Sequence, residues 1–463
     1  MRTEDIIYAE AKEPERDGVP PVMMTDQTMI RRKEKVLAKM REKGLEKLVI
    51  YEDEQHYGNF AYLVGFYTRF EEALLILDQD GTMTLMLGNE NLNKAGKARF
   101  DCKSVHVSLF SLPNQPNRNE KSLEELMRDA GLRPGMRTGL AGWKLFTDRV
   151  NLCGTFYDVP CYLVETIRKI LGSEALLSNE TEIFIGENGV RTTNCANEIA
   201  HYEYGASLAS DGMLDAMDLL DVGVKETQLG DVMVKDGQHT CVTTIAAAGE
   251  RFVKGNMFPT DREVKRGVPV SLTVGYAGGS SSRAGYAVTC REELPEEGRN
   301  YMEELAMPYF GAYAAWLEQI RIGMKGRELF EIVENMLPRE TYHWTLCPGH
   351  LTAEEEWMSS PVYENSEELL RSGMIFQIDI IPSKPGMAGV CAESTVVLAD
   401  EALKEEIRTE YPAMWERMER RKQYLREELG LLISEDLLPM CGTVAYLRPY
   451  LLNKKCVLRM KSK

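Results

Sequence analysis

Two apolar runs near the carboxyl end of the chain, MIFQIDII and GVCAESTVVLAD, each contain one acidic residue in their interior. Side chains alternate between the two faces of a strand, so the first run puts Gln377 and Asp379 on one face. The same alternation puts Cys391 and Glu393 together on one face of the second run. A buried carboxylate is costly, so each acid must be paired, bound to a ligand or protonated. If the strands are neighbours, both acids converge with His350, which follows a Pro-Gly turn.

The remaining pattern predicts an α/β protein with two domains. A helical apolar period begins at Asp26 and ends at Gly44, and short apolar runs separated by turns such as the one at Gly81 follow as strands. A long helix begins at about Asn197, after a stretch that is rich in glycine and polar residues. The predicted organisation is an amino-terminal arm (1–25), a first α/β domain (26–170), a linker (171–190) and a second domain (191–463).

An internal repeat is visible in the second domain. The stretches VGVKETQLGDVM and IGMKGRELFEIV match at two glycines, Gly223 and Gly323, and each predicts a glycine turn followed by a helix. Downstream, RGVPVSLTVG parallels SGMIFQIDII, and in that register Thr273 is the counterpart of Asp379. Two such halves predict a pseudo-twofold domain with a cleft at the junction, where ligands commonly bind.

Three phrases of the chain resemble the creatinase, aminopeptidase P and prolidase superfamily: PGH at 348–350, SGMIFQIDIIP at 372–382 and GVCAESTVV at 389–397. The resemblance implies a pita-bread fold for the second domain, with His350, Asp379 and Glu393 as metal ligands. YLVGF, followed by two strands around a DG turn, resembles the amino-terminal α/β domain of the same superfamily. The resemblance also implies a homodimer.

The chain departs from the superfamily at its other site positions. The position of the first metal-binding aspartate is Thr273, and no acid occurs between Asp261 and Glu292, where the second would lie. Two catalytic histidines of the superfamily align with Asn256 and Trp357. We therefore expect a hydrolase of a C–N bond in a small amino-acid-like or guanidino compound, and not a standard dinuclear peptidase.

Three interpretations of the site stay open. One histidine and two carboxylates can hold a single divalent metal, with Zn, Mn and Fe all compatible with these ligands. Without a metal, the same residues can orient and protonate a small substrate by hydrogen bonding. In the third interpretation the fold persists as a catalytically silent binding protein, because fold alone does not determine function. A further alternative is an Xaa-Pro peptidase with an atypical metal site.

Six further residues are predicted to line the pocket, from the strand faces and from the superfamily positions: Thr273, Arg283, Gln377, Cys391, Asn256 and Trp357. The acidic run at 354–356 lies in the loop near the site, and we interpret it as a solvent-exposed face.

Composition narrows the range of partners. The 463 residues include 44% hydrophobic and 27% charged residues, which is typical of a globular protein, and the net charge is −17. This charge argues against nucleic acid as a partner, and no apolar run is long enough to span a bilayer.

The ten cysteines show no CxxC or framework spacing, which favours reduced thiols and a cytoplasmic location. We expect a small-molecule substrate as the partner.

Overall fold

The computed structural model describes residues 5–116, 120–148, 150, 155–254 and 258–461. The chain divides into two compact units, which we call the first unit (Met24–Thr192) and the second unit (Met1–Met23 with Thr193–Lys463). Strand β1 (Ile6–Glu10) lies in the predicted arm and belongs to the second unit, because it pairs antiparallel with Cys456–Met460 near the other end of the chain.

The first unit contains a mixed six-stranded sheet and helices. Its elements are α1 (Asp26–Glu42), β2 (Lys47–Glu52), α2 (Gly58–Val64), β3 (Ala73–Asp78), β4 (Met83–Leu87), β5 (Cys102–His106), α3 (Leu123–Asp129), β6 (Thr138–Ala141), α4 (Cys161–Leu171), β7 (Leu177–Asn179) and α5 (Glu182–Ile185). The strand order is β5-β4-β3-β2-β6-β7, so β7 extends the sheet from within the stretch predicted as a linker. The central strands read as continuous apolar runs because they are buried along their whole length.

Besides the two-stranded sheet of β1 with Cys456–Met460, the second unit contains two larger antiparallel sheets packed with long helices. Its further elements are α6 (Ala196–Leu219), α7 (Glu226–Met233), β8 (Ile245–Ala248), α8 (Glu250–Lys254), β9 (Pro269–Tyr276), β10 (Gly279–Tyr286), α9 (Met307–Gln319), α10 (Gly326–Met336), α11 (Arg339–Tyr342), β11 (His350–Leu351), β12 (Ile375–Gln377), β13 (Thr395–Leu398), α12 (Glu401–Glu410), α13 (Pro412–Glu427), β14 (Leu437–Pro439) and β15 (Cys456–Met460). One sheet has the order β10-β9-β8 and the other the order β11-β12-β13-β14.

The internal repeat predicted from the sequence is present in the backbone. Helices α6 and α9 are each followed by a glycine with positive φ, 89° at Gly223 and 83° at Gly323. In both halves the third residue of the next helix then accepts a hydrogen bond from the N-cap backbone N–H: Gln228 of α7 from Lys225 at 2.9 Å, and Glu328 of α10 from Lys325 at 3.0 Å. A positive φ is strained for residues with a Cβ, which explains why glycine occupies both turns. The predicted pseudo-twofold arrangement is confirmed.

The two sheets of the second unit meet at Glu393. The Ser282 N–H donates to the Glu393 carbonyl at 3.3 Å, and Ala284 forms a single antiparallel bridge with Cys391. The ladder between β12 and β13 pairs only Ile375–Gln377 with residues 395–397, and it is shorter than the sequence pattern predicted. Asp379 therefore lies just past the end of β12.

Arg283 anchors this junction. Its guanidinium is fully buried and donates to the backbone carbonyls of Tyr446, Ser282, Glu393 and Thr443. Its donors are therefore used to hold strands together, and the placement differs from the predicted role as a pocket-lining residue.

None of the helices in the described ranges combines the length and the apolar character that crossing a bilayer requires. The nine cysteines of the described residues are all free thiols. The cytoplasmic location and the homodimer stay predictions.

Candidate metal centre

His350 is held at the start of β11 by a turn that packs on a buried tryptophan. The indole N–H of Trp316 donates to the Pro348 carbonyl at 2.8 Å, and the next residue, Gly349, has a φ of 129°. The His350 ring is fully buried, and its Nδ1 lies 3.3 Å from the Leu351 carbonyl oxygen. A carbonyl can only accept, so the neutral ring carries its proton on Nδ1 and directs the Nε2 lone pair into the site.

A short reversal of the chain after His350 brings Glu356 and Trp357 back over the imidazole. The Leu351 N–H donates to the Ser359 carbonyl at 2.7 Å, and the Met358 N–H donates to the Leu351 carbonyl at 2.9 Å. As a result, Glu356 Oε1 lies 3.5 Å from His350 Nε2. The Trp357 ring stacks on the His350 ring with 4.1 Å between centroids. Trp357 thus forms a wall of the site.

Glu356 is the site residue that the sequence interpretation missed. The run at 354–356 was interpreted as a solvent-exposed face, whereas the Glu356 side chain is only 27% exposed and faces His350. An acid six residues after the histidine was the only signal in the sequence, and it does not distinguish a loop that folds back from one that extends into solvent.

The two acids of the apolar runs both lie close to the imidazole. Asp379 Oδ2 is 4.0 Å from His350 Nε2, and its other oxygen, Oδ1, is buried without a hydrogen-bond partner among the described residues. In the described part of the chain, His350 Nε2 has no hydrogen-bond partner either. Ligand atoms of His350, Glu356 and Glu393 lie within 4.8 Å of one another, and so do those of Asp379, Cys391 and Glu393.

Hydroxyl groups from β10 hold the Glu393 carboxylate. The Ser280 hydroxyl donates to Oε1 and the Ser282 hydroxyl to Oε2, both at 2.5 Å. Behind them, the Thr273 hydroxyl donates to Ser282 Oγ at 2.9 Å, and the Gln377 amide donates to Ser280 Oγ at 2.6 Å. Both oxygens of Glu393 therefore act as acceptors, which favours the ionised carboxylate.

Burial and neighbouring charges shift the pKa values of four of these groups, His350, Asp379, Cys391 and Glu393. Burial, together with the charge of Glu393, raises the pKa of Asp379 to about 8. Burial also raises the pKa of Glu393, although the serine hydrogen bonds oppose it. For His350, burial lowers the pKa, but Glu356 and the other acids outweigh burial and the net shift is upward. Burial and the two nearby acids raise the pKa of the Cys391 thiol. With Asp379 and Glu393 both ionised, the cluster would hold more negative charge than its one imidazole balances.

Of the nine residues predicted from the sequence, the structure brings seven together: His350, Asp379, Glu393, Thr273, Gln377, Cys391 and Trp357. Arg283 lies behind the site and contacts backbone carbonyls. Asn256 lies outside the described residues.

No protein-family model matches the sequence, and neither does any curated protein. Solved structures with a similar fold do match. A prolidase from Pyrococcus horikoshii OT3 has a TM-score of 0.62 and 17% identity over 80% of this chain and 95% of its own. An X-Pro aminopeptidase from Thermotoga maritima MSB8 has a TM-score of 0.61 and 16% identity over 80% of this chain and 95% of its own. An Xaa-Pro dipeptidase from Bacillus anthracis has a TM-score of 0.61 and 14% identity, covering 81% of this chain and 96% of its own.

At these identities the likeness shows the fold. The chain has the mixed α/β fold of the prolidase and aminopeptidase P structures, with the pita-bread arrangement in the second unit. The fold class predicted from the sequence is confirmed, and the fold is the one that the resemblance implied.

Proposed function

From this prolidase-type fold and its buried acid cluster, we propose that the protein is a hydrolase that uses one divalent metal to cleave a C–N bond in a small amino-acid-like or guanidino compound. One observation carries the proposal. His350 Nε2 and Asp379 Oδ1 are both buried and both lack a hydrogen-bond partner among the described residues. Buried polar atoms are normally satisfied, so two such atoms in one cluster support a bound cation.

The residues present fit such a cation. His350, Asp379 and Glu393 would hold it through one imidazole nitrogen and carboxylate oxygens, a donor set suited to Zn²⁺, Mn²⁺ or Fe²⁺. The cation would also offset the repulsion between three neighbouring acids. When bound, it supplies Lewis-acid polarisation of a carbonyl and activation of water.

The chain's own residues supply positioning and proton transfer. Glu356 is part exposed, so its carboxylate can take up a proton at the mouth of the site and release it to solvent. Trp357 covers one face of the His350 ring and restricts water there. The Ser280 and Ser282 hydroxyls keep Glu393 oriented with both oxygens as acceptors.

The hydroxyl groups of β9 and β10 favour one cation and not a pair. Thr273 and Ser282 are directly opposite each other across the two strands, and their hydroxyls bond to each other. Hydroxyls bring no negative charge, so this side of the cleft does not balance a second divalent cation. This supports the view that the chain is not a standard dinuclear peptidase.

Elemental analysis of the purified protein after supplementation with divalent metals tests the proposal. We expect about one equivalent of a transition metal in the wild type and in Glu355→Gln, a control in the same loop, but not in Asp379→Ala. The metal-loaded protein should hydrolyse at least one member of a panel of dipeptides, N-acyl amino acids and guanidino acids. A protein that binds no metal, or binds it equally well after Asp379→Ala, would refute the proposed centre.

A catalytically silent binding protein is the second candidate, and the serine hydrogen bonds favour it. Both oxygens of Glu393 already accept hydrogen bonds, so the polar cluster is partly satisfied without any ligand. The same substrate panel distinguishes a silent binding protein from the hydrolase, because a silent protein should bind a member of the panel without hydrolysing it. The alternative of an Xaa-Pro peptidase requires cleavage of Xaa-Pro dipeptides that a chelator abolishes.

A further inference from the structure

Cys391 places a thiol inside the acid cluster. The residue is buried, and its Sγ lies within 4.8 Å of ligand atoms of both Asp379 and Glu393. Nothing in the hydrolytic roles proposed above requires sulfur at this position. The thiol is therefore a chemically distinctive group that those roles leave unused.

The backbone fixes the direction of this thiol. Cys391 forms an antiparallel bridge with Ala284, and the next N–H, from Ala392, donates to the Tyr309 hydroxyl oxygen at 2.8 Å. The alternation of an extended chain then sends Cys391 and Glu393 to the same side. The Glu393 N–H also donates to Cys391 Sγ at 3.4 Å, which keeps the sulfur beside the carboxylate.

Packing alone does not account for a thiol in this place. Buried cysteines commonly act as small apolar residues, as Cys441 does beside the Thr395 carbonyl and the Thr443 hydroxyl. Cys391 differs because it faces Asp379, a 5% exposed residue whose Oδ1 has no hydrogen-bond partner among the described residues. Two carboxylates, one of which has an unsatisfied oxygen, and a thiol form a ligand set of mixed hard and soft character.

We propose that Cys391 is a ligand of the bound cation, together with Asp379 and Glu393, and that the site therefore selects a thiophilic divalent cation such as Zn²⁺ over Mg²⁺ or Mn²⁺. Thiolate ligands favour Zn²⁺ and related cations, whereas sites built from carboxylates and water suit Mg²⁺ and Mn²⁺. A thiol that binds such a cation loses its proton, and here that proton passes to solvent. The inference rests on the proposed metal-dependent function.

Titration of the metal-free protein with Co²⁺ or Cd²⁺ tests the inference directly. A thiolate bound to either cation gives a charge-transfer absorption band that carboxylate and imidazole ligands do not give. We expect the band to saturate at about one equivalent in the wild type and in Cys441→Ser, which removes a buried thiol outside the cluster. Cys391→Ser should abolish the band and reduce the preference for Zn²⁺ over Mn²⁺ by at least about tenfold. A band that survives Cys391→Ser would overturn the inference.

A second measurement needs no variant and so is independent of any folding defect. X-ray absorption of the wild-type protein loaded with Zn²⁺ should show one sulfur neighbour at about 2.3 Å. A shell of nitrogen and oxygen alone would overturn the role of Cys391 and leave the metal-dependent hydrolase standing. Failure to bind any of these cations would overturn both proposals, so the two failures are distinguishable.

Discussion

Matching positions in the two halves of the second unit carry different chemistry. Thr273 follows Gly267 by six residues and Asp379 follows Gly373 by six, and the two glycines have nearly the same φ, 84° and 86°. One half thus offers a hydroxyl where the other offers a carboxyl. Hydroxyls from the first half, through Ser282, donate to Glu393 of the second.

A repeated backbone therefore does not require repeated chemistry. We call β9 and β10 the hydroxyl half and the segment with Asp379 and Glu393 the acid half. The hydroxyl half supplies donors without charge, and the acid half supplies acceptors that need a cation or a proton. The following substitutions change one side or the other, in order of decreasing expected effect.

Turning the hydroxyl half into a second acid half should cause the largest change. Thr273→Asp combined with Ser282→Asp buries two carboxylates beside Glu393, so the metal-free protein should lose on the order of 5 kcal/mol of unfolding free energy. Excess divalent cation should recover most of the lost unfolding free energy, since it neutralises the added charge. Denaturant unfolding with and without cation measures both effects.

The control for this variant is Ser271→Asp, which lies two residues earlier on β9 and outside the cluster. Its stability should not depend on the cation. If the double variant were as stable as the wild type without cation, or were not rescued by cation, the contrast between the two halves would be wrong.

A buried acid in the first unit shows what happens without a cluster. Burial raises the pKa of Glu52 to about 8, and one of its oxygens accepts a hydrogen bond from the Thr68 N–H at 2.9 Å. The folded state favours protonated Glu52. The contribution of this group to the free energy of unfolding is therefore full at low pH and is lost as the pH rises from about 4.5 to about 8. By linkage, Glu52→Gln should become more stable relative to the wild type over that range, by up to about 5 kcal/mol.

Unfolding free energies of the wild type and Glu52→Gln at about pH 5 and about pH 9 measure this change. Divalent cation should leave the difference unaltered, because no other acid or histidine forms a metal-binding group with Glu52 in the described residues. Equal pH dependence in the two proteins would show that Glu52 is ionised in the folded state.

Removing one donor to Glu393 should have a smaller effect. Ser282→Ala leaves Glu393 Oε2 buried without its hydroxyl, so we expect a loss of about 2 kcal/mol in the metal-free protein. Ser281→Ala is the matched control on the same strand, because its hydroxyl contacts Thr443 and Arg283 and not Glu393. An equal loss in both variants would argue against a specific role of the serine hydrogen bond.

The smallest change is expected at the far end of the hydroxyl chain. Thr273→Val keeps the shape of the side chain and removes only its donor to Ser282, so the loss should be about 1 kcal/mol. Cation affinity should stay within a few-fold of the wild type, because Glu393 keeps both serine donors. A large loss of cation binding would mean that Thr273 contributes to the site directly.

Local patterns in the sequence were sufficient for the fold class and the two halves. Glycines at turns with positive φ, capping positions and the alternation of apolar residues act over a few residues, so they are readable without tertiary contacts. The same alternation put Cys391 and Glu393 on one side, and that is where the structure has them. The apolar runs also identified Asp379 and Glu393, because an acid within such a run is unusual.

The partners of these residues depend on tertiary contacts. Glu356 approaches His350 because a chain reversal closes on Ser359, and Arg283 is used by backbone carbonyls because the two sheets join at Glu393. The position of Glu356 depends on the path of a loop, and the contacts of Arg283 depend on segments that are distant in sequence. Residue types carry no local signal for either. The local pattern therefore identified the fold class, the two halves and the acids Asp379 and Glu393, whereas tertiary contacts set which donors, thiol and further carboxylate surround them.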